Sequence, residues 1–318
     1  MEPNTSFHHT PVLLSEVISL MEPQRGGIFV DGTLGGGGHA EALLARMPQD
    51  SRLIGIDRDP AALAAARARL APFGERFTAI RGNFFDMRRL LAQQGVSGVD
   101  GILLDLGVSS PQIDEAERGF SYHADAPLDM RMDTDAPLTA AIAVNTLPEA
   151  ELARIFFAYG EERYARRIAK RICERRTQTP FARTTELAQY IAACIPYKLQ
   201  EKGQHPARRC FQALRVYVNG ELDGLPSALD DACALLRPGG RLAVISFHSL
   251  EDRIAKLRFR NWENPCDCDP RAPMCTCGKT PQGRILTKKP ITAGGEELAA
   301  NSRASCAKLR AFARKCEV

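Results

Sequence analysis

The chain has 318 residues, 44% of them hydrophobic and 25% charged, with a formal net charge of +4. These ordinary globular proportions exclude disordered and fibrous classes, and no apolar run approaches the roughly 18 residues a membrane-crossing helix needs. The length favours two domains, and residues 1–9 lack the basic-then-apolar pattern of a signal peptide, so a cytoplasmic location is expected.

In chain order, residues 27–31 read as a buried strand that enters the loop Asp31-Gly32-Thr33-Leu34-Gly35-Gly36-Gly37-Gly38-His39. A helix over 39–47 follows and stops at Pro48. Residues 52–57 form a second strand. Asp59 caps the next helix, which has Pro60 at its first position and runs to Leu70. Residues 77–81 and 99–105 supply a third and a fourth strand, the last apolar enough to be buried on both faces. Strand–helix alternation of this kind indicates a parallel sheet wrapped by helices. It stops at 114–135, a stretch rich in Asp, Gly and Pro without periodicity, which reads as a functional lid or a linker.

Helical periodicity occupies 148–195, most clearly 161–173. There Arg163, Arg166, Arg167, Lys170 and Arg171 share one side, with Ala165, Ile168, Ala169 and Ile172 opposite. Between residues 161 and 216 thirteen Lys/Arg stand against five Glu, so this middle segment is far more basic than the chain as a whole. A solvated face is one explanation. Five cations with no acidic residue among them favour contact with a polyanion such as nucleic acid. Helices over 207–222 and 226–236 then lead through the turn Arg237-Pro238-Gly239-Gly240 into a strand over 241–247, with further strands at 285–288 and 307–312. The expected organisation is one α/β domain of 1–112 and 207–318, interrupted by a helical, basic insert of 113–206.

Three carboxylates sit at strand ends around the glycine loop: Asp31, Asp57 and Asp105. A dinucleotide competes for such a loop, but the regular G-x-G-x-x-G spacing is missing and Asp31 would repel a pyrophosphate. S-adenosylmethionine carries a sulfonium and an ammonium, which carboxylates attract, so it is the expected cofactor. Asp57, about 20 residues past the loop, can accept bonds from ribose hydroxyls.

The residues also match a known family. His9-Thr10-Pro11-Val12-Leu13-Leu14, the loop 31–39, Gly55-Ile56-Asp57-Arg58-Asp59-Pro60 and the run 100–112 (DGILLDLGVSSPQ) all resemble the bacterial 16S rRNA (cytosine-N4)-methyltransferases that act on the decoding centre. So do ERGF at 117–120, DMRMD at 129–133, YGEER at 159–163, residues 211–222 and SFHSLEDR at 246–253. The resemblance implies a Rossmann-like S-adenosylmethionine-dependent methyltransferase sheet with an inserted small helical domain, acting on a decoding-centre cytidine of 16S rRNA, within the small ribosomal subunit. It implies cofactor contacts from Gly37, Gly38, His39, Asp57, Phe84, Asp105 and Gln112. Phe84 follows the third strand, where its ring can lie on adenine or join the core beside Phe85.

Cytosine N4 is a poor nucleophile because its lone pair is delocalised, so the chemistry needs alignment and hydrogen-bond acceptors rather than a covalent adduct. Ser109 and Ser110, just past the fourth strand, are candidates. Their segment partly resembles the Ser-Pro-Pro-aromatic motif of DNA cytosine-N4 methyltransferases but departs from it at Gln112. Base stacking would then fall to Phe120, Tyr122 or Phe247. His248 either contacts the base or bonds a neighbouring loop. A C5 methyltransferase would need a nucleophilic Cys, and the one Pro-Cys pair, Pro265-Cys266, lies in a cysteine cluster rather than after a strand. An RNA-binding assembly factor without catalysis is a rival of another class. The cluster itself, Cys266, Cys268, Cys275 and Cys277, holds enough thiols for tetrahedral zinc, but its C-x-C spacing is tighter than usual and commits the sequence to no metal. Oligomeric state is not legible.

Overall fold

The structure, a computed structural model, describes residues 11–201, 203–269, 274 and 276–316. They divide into two compact units, Met1–Gly107 with Gly224–Val318, and Val108–Asp223.

The first unit is built on a seven-stranded sheet. Its strands are β1 (Ile28–Asp31), β2 (Arg52–Asp57), β3 (Phe77–Arg81), β4 (Val99–Asp105), β5 (Leu236–Ser246), β6 (Gly283–Ile285) and β7 (Lys308–Arg314), in the order β3-β2-β1-β4-β5-β7-β6. The first five are parallel. In β4, Ile102, Leu103 and Leu104 are fully buried, as a central strand covered on both faces requires. The parallel arrangement expected from the strand–helix alternation ends at the sheet's far edge. There β7 enters between β5 and β6 and runs antiparallel to both. Residues 237–240, expected as a turn, lie inside β5, where the pairing shifts between Val99↔Leu236 and Gly101↔Arg241; Gly239 takes φ +79° in this bulge.

Helices pack on the sheet through apolar stripes. Leu14–Met21 and Gly38–Leu44 bury Val17, Met21, Leu43 and Leu44 in one core. The helix Pro60–Leu70 begins as its sequence suggests, the Asp59 carboxylate accepting from Ala61 N–H at 3.0 Å ahead of Pro60. Elsewhere Phe259, Trp262 and Phe312 meet with ring centroids 5.2–5.6 Å apart, and the Trp262 indole N–H donates to Asp230 at 3.0 Å. Among the described residues, no helix is long and apolar enough to cross a membrane.

The second unit is helical. Ala140–Thr146, Glu149–Gly160, Ala165–Arg176, Thr184–Cys194 and Arg208–Asn219 surround Ile155, Phe156, Ile168, Ile172, Leu187, Ile191, Phe211 and Leu214. Arg208–Asn219 packs on Glu149–Gly160, which brings 207–223 into this unit beyond the expected limit at 206. Gly160 permits that approach, since a Cβ there would stand 2.5 Å from the Arg209 carbonyl oxygen. The helix expected at 161–173 starts later, at Ala165, because Glu161 takes a left-handed conformation (φ +51°) and ends the preceding helix. Within it Ala165, Ile168, Ala169 and Ile172 are buried, Arg166, Arg167 and Lys170 are exposed and Arg171 is half-buried, while Arg163 is exposed just ahead of it. Lys170 does have an acidic neighbour, Glu174, at 3.9 Å.

The stretch 114–135 is tied down rather than lid-like. Leu128 and Met130 are buried, Arg131 makes a two-pronged ion pair with Asp129 at 2.8 and 2.7 Å, and Asn219 bonds the backbone of Met130 and Met132 at 2.8 Å each.

Candidate functional site

β1 pairs with both β2 and β4, yet the chain runs from β1 outward to β3 before it returns to β4. That reversal opens a crevice at the carboxyl ends of the strands, where open α/β sheets bind ligands. Asp31 ends β1, Asp57 ends β2 and Asp105 ends β4. The sequence places these three acids, and parallel pairing brings them to one edge of the sheet.

The glycine loop is held over this edge by two of them. Asp57 accepts from Gly35 N–H at 2.8 Å and from Asp59 N–H at 2.9 Å, and Asp31 accepts from Thr33 N–H at 3.2 Å. The Thr33 hydroxyl accepts from Asp105 N–H at 2.6 Å, which ties the loop to β4. Gly37 stands at φ +79°, a conformation that L side chains rarely adopt, and a Cβ there would also press on Leu70 and Ala66 at 3.2 and 3.3 Å. Gly38 and His39 open the helix that follows. His39 is buried, and its Nε2–H donates to the Val12 carbonyl at 2.9 Å. Burial lowers its pKa to about 4, so it is neutral near pH 7 with its Nδ1 lone pair free to accept. That Nδ1 lies 3.6 Å from Asp105 Oδ2, while Asp105 Oδ1 is buried without a hydrogen-bond partner among the described residues. Buried acceptors with no donor between them suit a cationic N–H group. Phe84, buried in the turn after β3, packs edge-on to Phe85 at 4.7 Å and lies against Gly32, beside the loop.

Burial raises all three carboxyls. Asp31 is pushed up to about 7, with the Asp57 charge adding to the effect. Asp57 is raised by burial, and Asp105 well above the ordinary range by burial, then by Asp31 and Glu251. A site that keeps carboxyls at such a cost favours a positively charged ligand. The cost has a testable consequence. In folded protein Asp31 holds its proton more tightly than in the unfolded chain, so ionising it costs stability that grows from about pH 4 and is complete above about pH 7. Asp31→Asn in cofactor-free protein is therefore expected to leave thermal stability unchanged near pH 4. By pH 8 the gain should be on the order of a few kcal/mol. A gain equal at both pH values would show that Asp31 ionises at its ordinary pKa.

Glu251 joins this constellation through its charge on Asp105, although in the sequence it stands as a helix-starting acid. It is buried and accepts from Phe247 N–H at 2.9 Å and His248 N–H at 3.3 Å. It thereby forms a capping box with His248 at the head of the helix Ser249–Glu263. His248 caps this helix through Nδ1, which accepts from Glu251 N–H at 3.5 Å, while its Nε2 lies 3.1 Å from Glu251 Oε1 and is buried without a hydrogen-bond partner among the described residues. Thr33 joins the site as well, and a hydroxyl inside a glycine loop is the sequence signal for it.

Ser109 and Gln112 belong to the second unit, where Gln112 is buried and its Oε1 accepts from Ser109 N–H at 3.0 Å. The Ser110 side chain lies outside the described residues, as do His9 and Thr10. Tyr122 stacks on His205 at 4.9 Å and meets Phe211 edge-on at 5.5 Å, which occupies one of its faces. Phe120 packs against the same helical core, and Phe247 is half-buried beside Gly107.

The sequence model of the MraW methylase family matches residues 6–315. A protein of Geobacter sulfurreducens is 56% identical over 306 residues, covering 96% of this chain and 98% of its own length. One of Heliobacterium modesticaldum is 54% identical over 306 residues, with the same shares of each chain. One of Symbiobacterium thermophilum is 52% identical over 309 residues, covering 97% of each chain. All three bear the name ribosomal RNA small subunit methyltransferase H.

Proposed function

The chain belongs to the MraW methylase family, whose methyl donor is S-adenosylmethionine, and from that premise we propose that it methylates the N4 amine of a decoding-centre cytidine in 16S ribosomal RNA, presented within the small subunit. The observation that carries the reading is the convergence of the buried Asp31 and the half-buried Asp57 and Asp105 at the sheet's switch point, in a chain whose near-full-length relatives are named for small-subunit ribosomal RNA.

When bound, S-adenosylmethionine supplies an electrophilic methyl carbon on a sulfonium. The chain's own residues bind and orient. Asp57 takes the ribose hydroxyls, and Asp105 with the neutral His39 takes the ammonium group. Asp31 sets the negative potential that holds the cation, Gly37 and Gly38 let the backbone approach it, and Phe84 offers a ring for adenine. Gln112 contributes from the segment after β4. Methyl transfer to an exocyclic amine needs an acceptor for the amine's hydrogens as it becomes tetrahedral. Ser109 and Ser110, four and five residues past Asp105 in sequence, are the candidates for that role. No cysteine nucleophile is required. Cys266 sits in the segment between the helix Ser249–Glu263 and β6, which leaves the C5 reaction without a thiol after a parallel strand.

The exposed Arg163, Arg166 and Arg167 supply phosphate contacts that place the RNA without reading its sequence. Small subunits from cells that lack the enzyme, incubated with the chain and methyl-labelled cofactor, are expected to yield labelled N4-methylcytidine on nucleoside mass spectrometry. An Arg166→Glu, Arg167→Glu variant should bind cofactor normally and label poorly. Recovery of 5-methylcytidine, or an Asp57→Ala variant that loses cofactor binding yet keeps full biological function, would overturn the reading.

A further inference from the structure

The stretch 264–282 joins the helix Ser249–Glu263 to β6. It contains four prolines, and its one large apolar side chain, Met274, is 73% exposed. A segment of this composition has no apolar interior with which to offset the entropy of ordering it. Three thiols nevertheless converge in it: the Sγ atoms of Cys266, Cys268 and Cys277 all lie within 4.8 Å of one another. Zinc–sulfur bonds of about 2.3 Å in a tetrahedron put sulfurs about 3.8 Å apart, so this triangle needs only a small contraction to take the ion. Two polar neighbours lie beside the sulfurs. Thr276 N–H donates to Cys268 Sγ at 3.4 Å. Lys279, whose Nζ sits 2.6 Å from Asp267, is also within electrostatic reach of Cys277 and Cys266.

We propose that Cys266, Cys268 and Cys277 form a structural zinc(II) site that pins the 264–282 segment between the helix and β6. Each thiol gives its proton to solvent as its Sγ takes the metal. Zinc suits this donor set because thiolates bind it strongly, it has no redox chemistry, and a tetrahedral site can be completed by one further ligand. Cys275, the remaining thiol of the sequence cluster, lies outside the described residues.

The test uses the full-length chain expressed with zinc and purified without chelator. Elemental analysis is expected to find about one zinc per chain, with sulfur scatterers at about 2.3 Å in the X-ray absorption spectrum. The Cys268→Ser, Cys277→Ser variant should fall below about a tenth of an equivalent while still binding S-adenosylmethionine. If that variant does not fold, the wild type still decides. Titration with an organomercurial should release zinc in step with modification of at least three thiols. Zinc below about a tenth of an equivalent in wild-type protein, retention of zinc by the double variant, or iron with a thiolate absorption band in its place would each overturn the assignment.

Discussion

Asp105→Asn is expected to weaken S-adenosylmethionine binding by about 10- to 100-fold while the cofactor-free protein folds as well as the wild type or better. Asp105 Oδ1 is buried with no hydrogen-bond partner among the described residues, and its neighbour His39 is a neutral acceptor rather than a donor. Burial and the charges of Asp31 and Glu251 raise its pKa well above the ordinary range. The ionised carboxylate is thus a burden on the fold, which the isosteric amide lifts. The same amide loses the charge that a bound ammonium would meet, and a hydrogen bond to a charged group contributes about 1.5–3 kcal/mol. Calorimetric titration and thermal melts on one preparation separate the two effects. Lost affinity with unchanged or raised stability supports a ligand-facing carboxylate. Lost stability with unchanged affinity would make Asp105 a structural acid and remove it from the site. Because Asp31 titrates at about 7, wild-type affinity should also fall as the pH drops from 8 to 6, with protons released on binding.

Asp252→Ala is expected to destabilise the first unit by about 3–5 kcal/mol. Asp252 stands in the first turn of the helix Ser249–Glu263 and receives Arg310 Nε at 2.6 Å and a second guanidinium nitrogen at 3.2 Å. The two side chains are 13% and 9% exposed, and Lys308 Nζ is 3.9 Å away. Removing the carboxylate leaves a guanidinium buried in the middle of β7 with a lysine nearby and no counter-charge from the helix. An Asp252→Leu, Arg310→Met pair removes both charges and should recover most of the loss, because a buried ion pair is worth little more than apolar groups of its size. Urea unfolding measures both variants. A single-variant loss under about 1 kcal/mol would mean that water reaches Arg310 readily.

What the sequence conveys well is whatever depends on near neighbours along the chain. The continuous apolar run of β4, the Asp59-Pro60 helix start and the strand-ending acids all have local causes, and the structure holds them at the residues expected. Features decided by distant partners were not legible. Residues 237–240 have strong turn chemistry, but pairing with β4 absorbs them into β5 as a bulge. The break at Glu161 puts a non-glycine residue in the left-handed conformation although Gly160 stands beside it. Arg208–Asn219 looks like any amphipathic helix, and only its packing on Glu149–Gly160 assigns it to the helical unit. The loop 114–135 resembles a lid because the side chains that pin it, Asn219 above all, are nearly ninety residues away. At the site, the sequence supplies Asp31, Asp57 and Asp105, whereas the burial that raises their pKa values and brings Glu251 within reach is visible only in three dimensions.

The interruption of the sheet-bearing unit by the helical one has a consequence during synthesis. β4 is complete at Asp105, but β5, its neighbour on the far side, begins only at Leu236, after the whole of Val108–Asp223 has been made. At about 5–20 residues per second, roughly 130 residues separate the two by about 7–26 s. For that interval a nascent chain carries a hydrocarbon-rich ribbon with one flank open to pairing with any other chain nearby. Vectorial production therefore leaves this protein exposed to co-translational association at one defined place. Slower decoding across the inserted helices should increase its demand for chaperones, and faster decoding should reduce it.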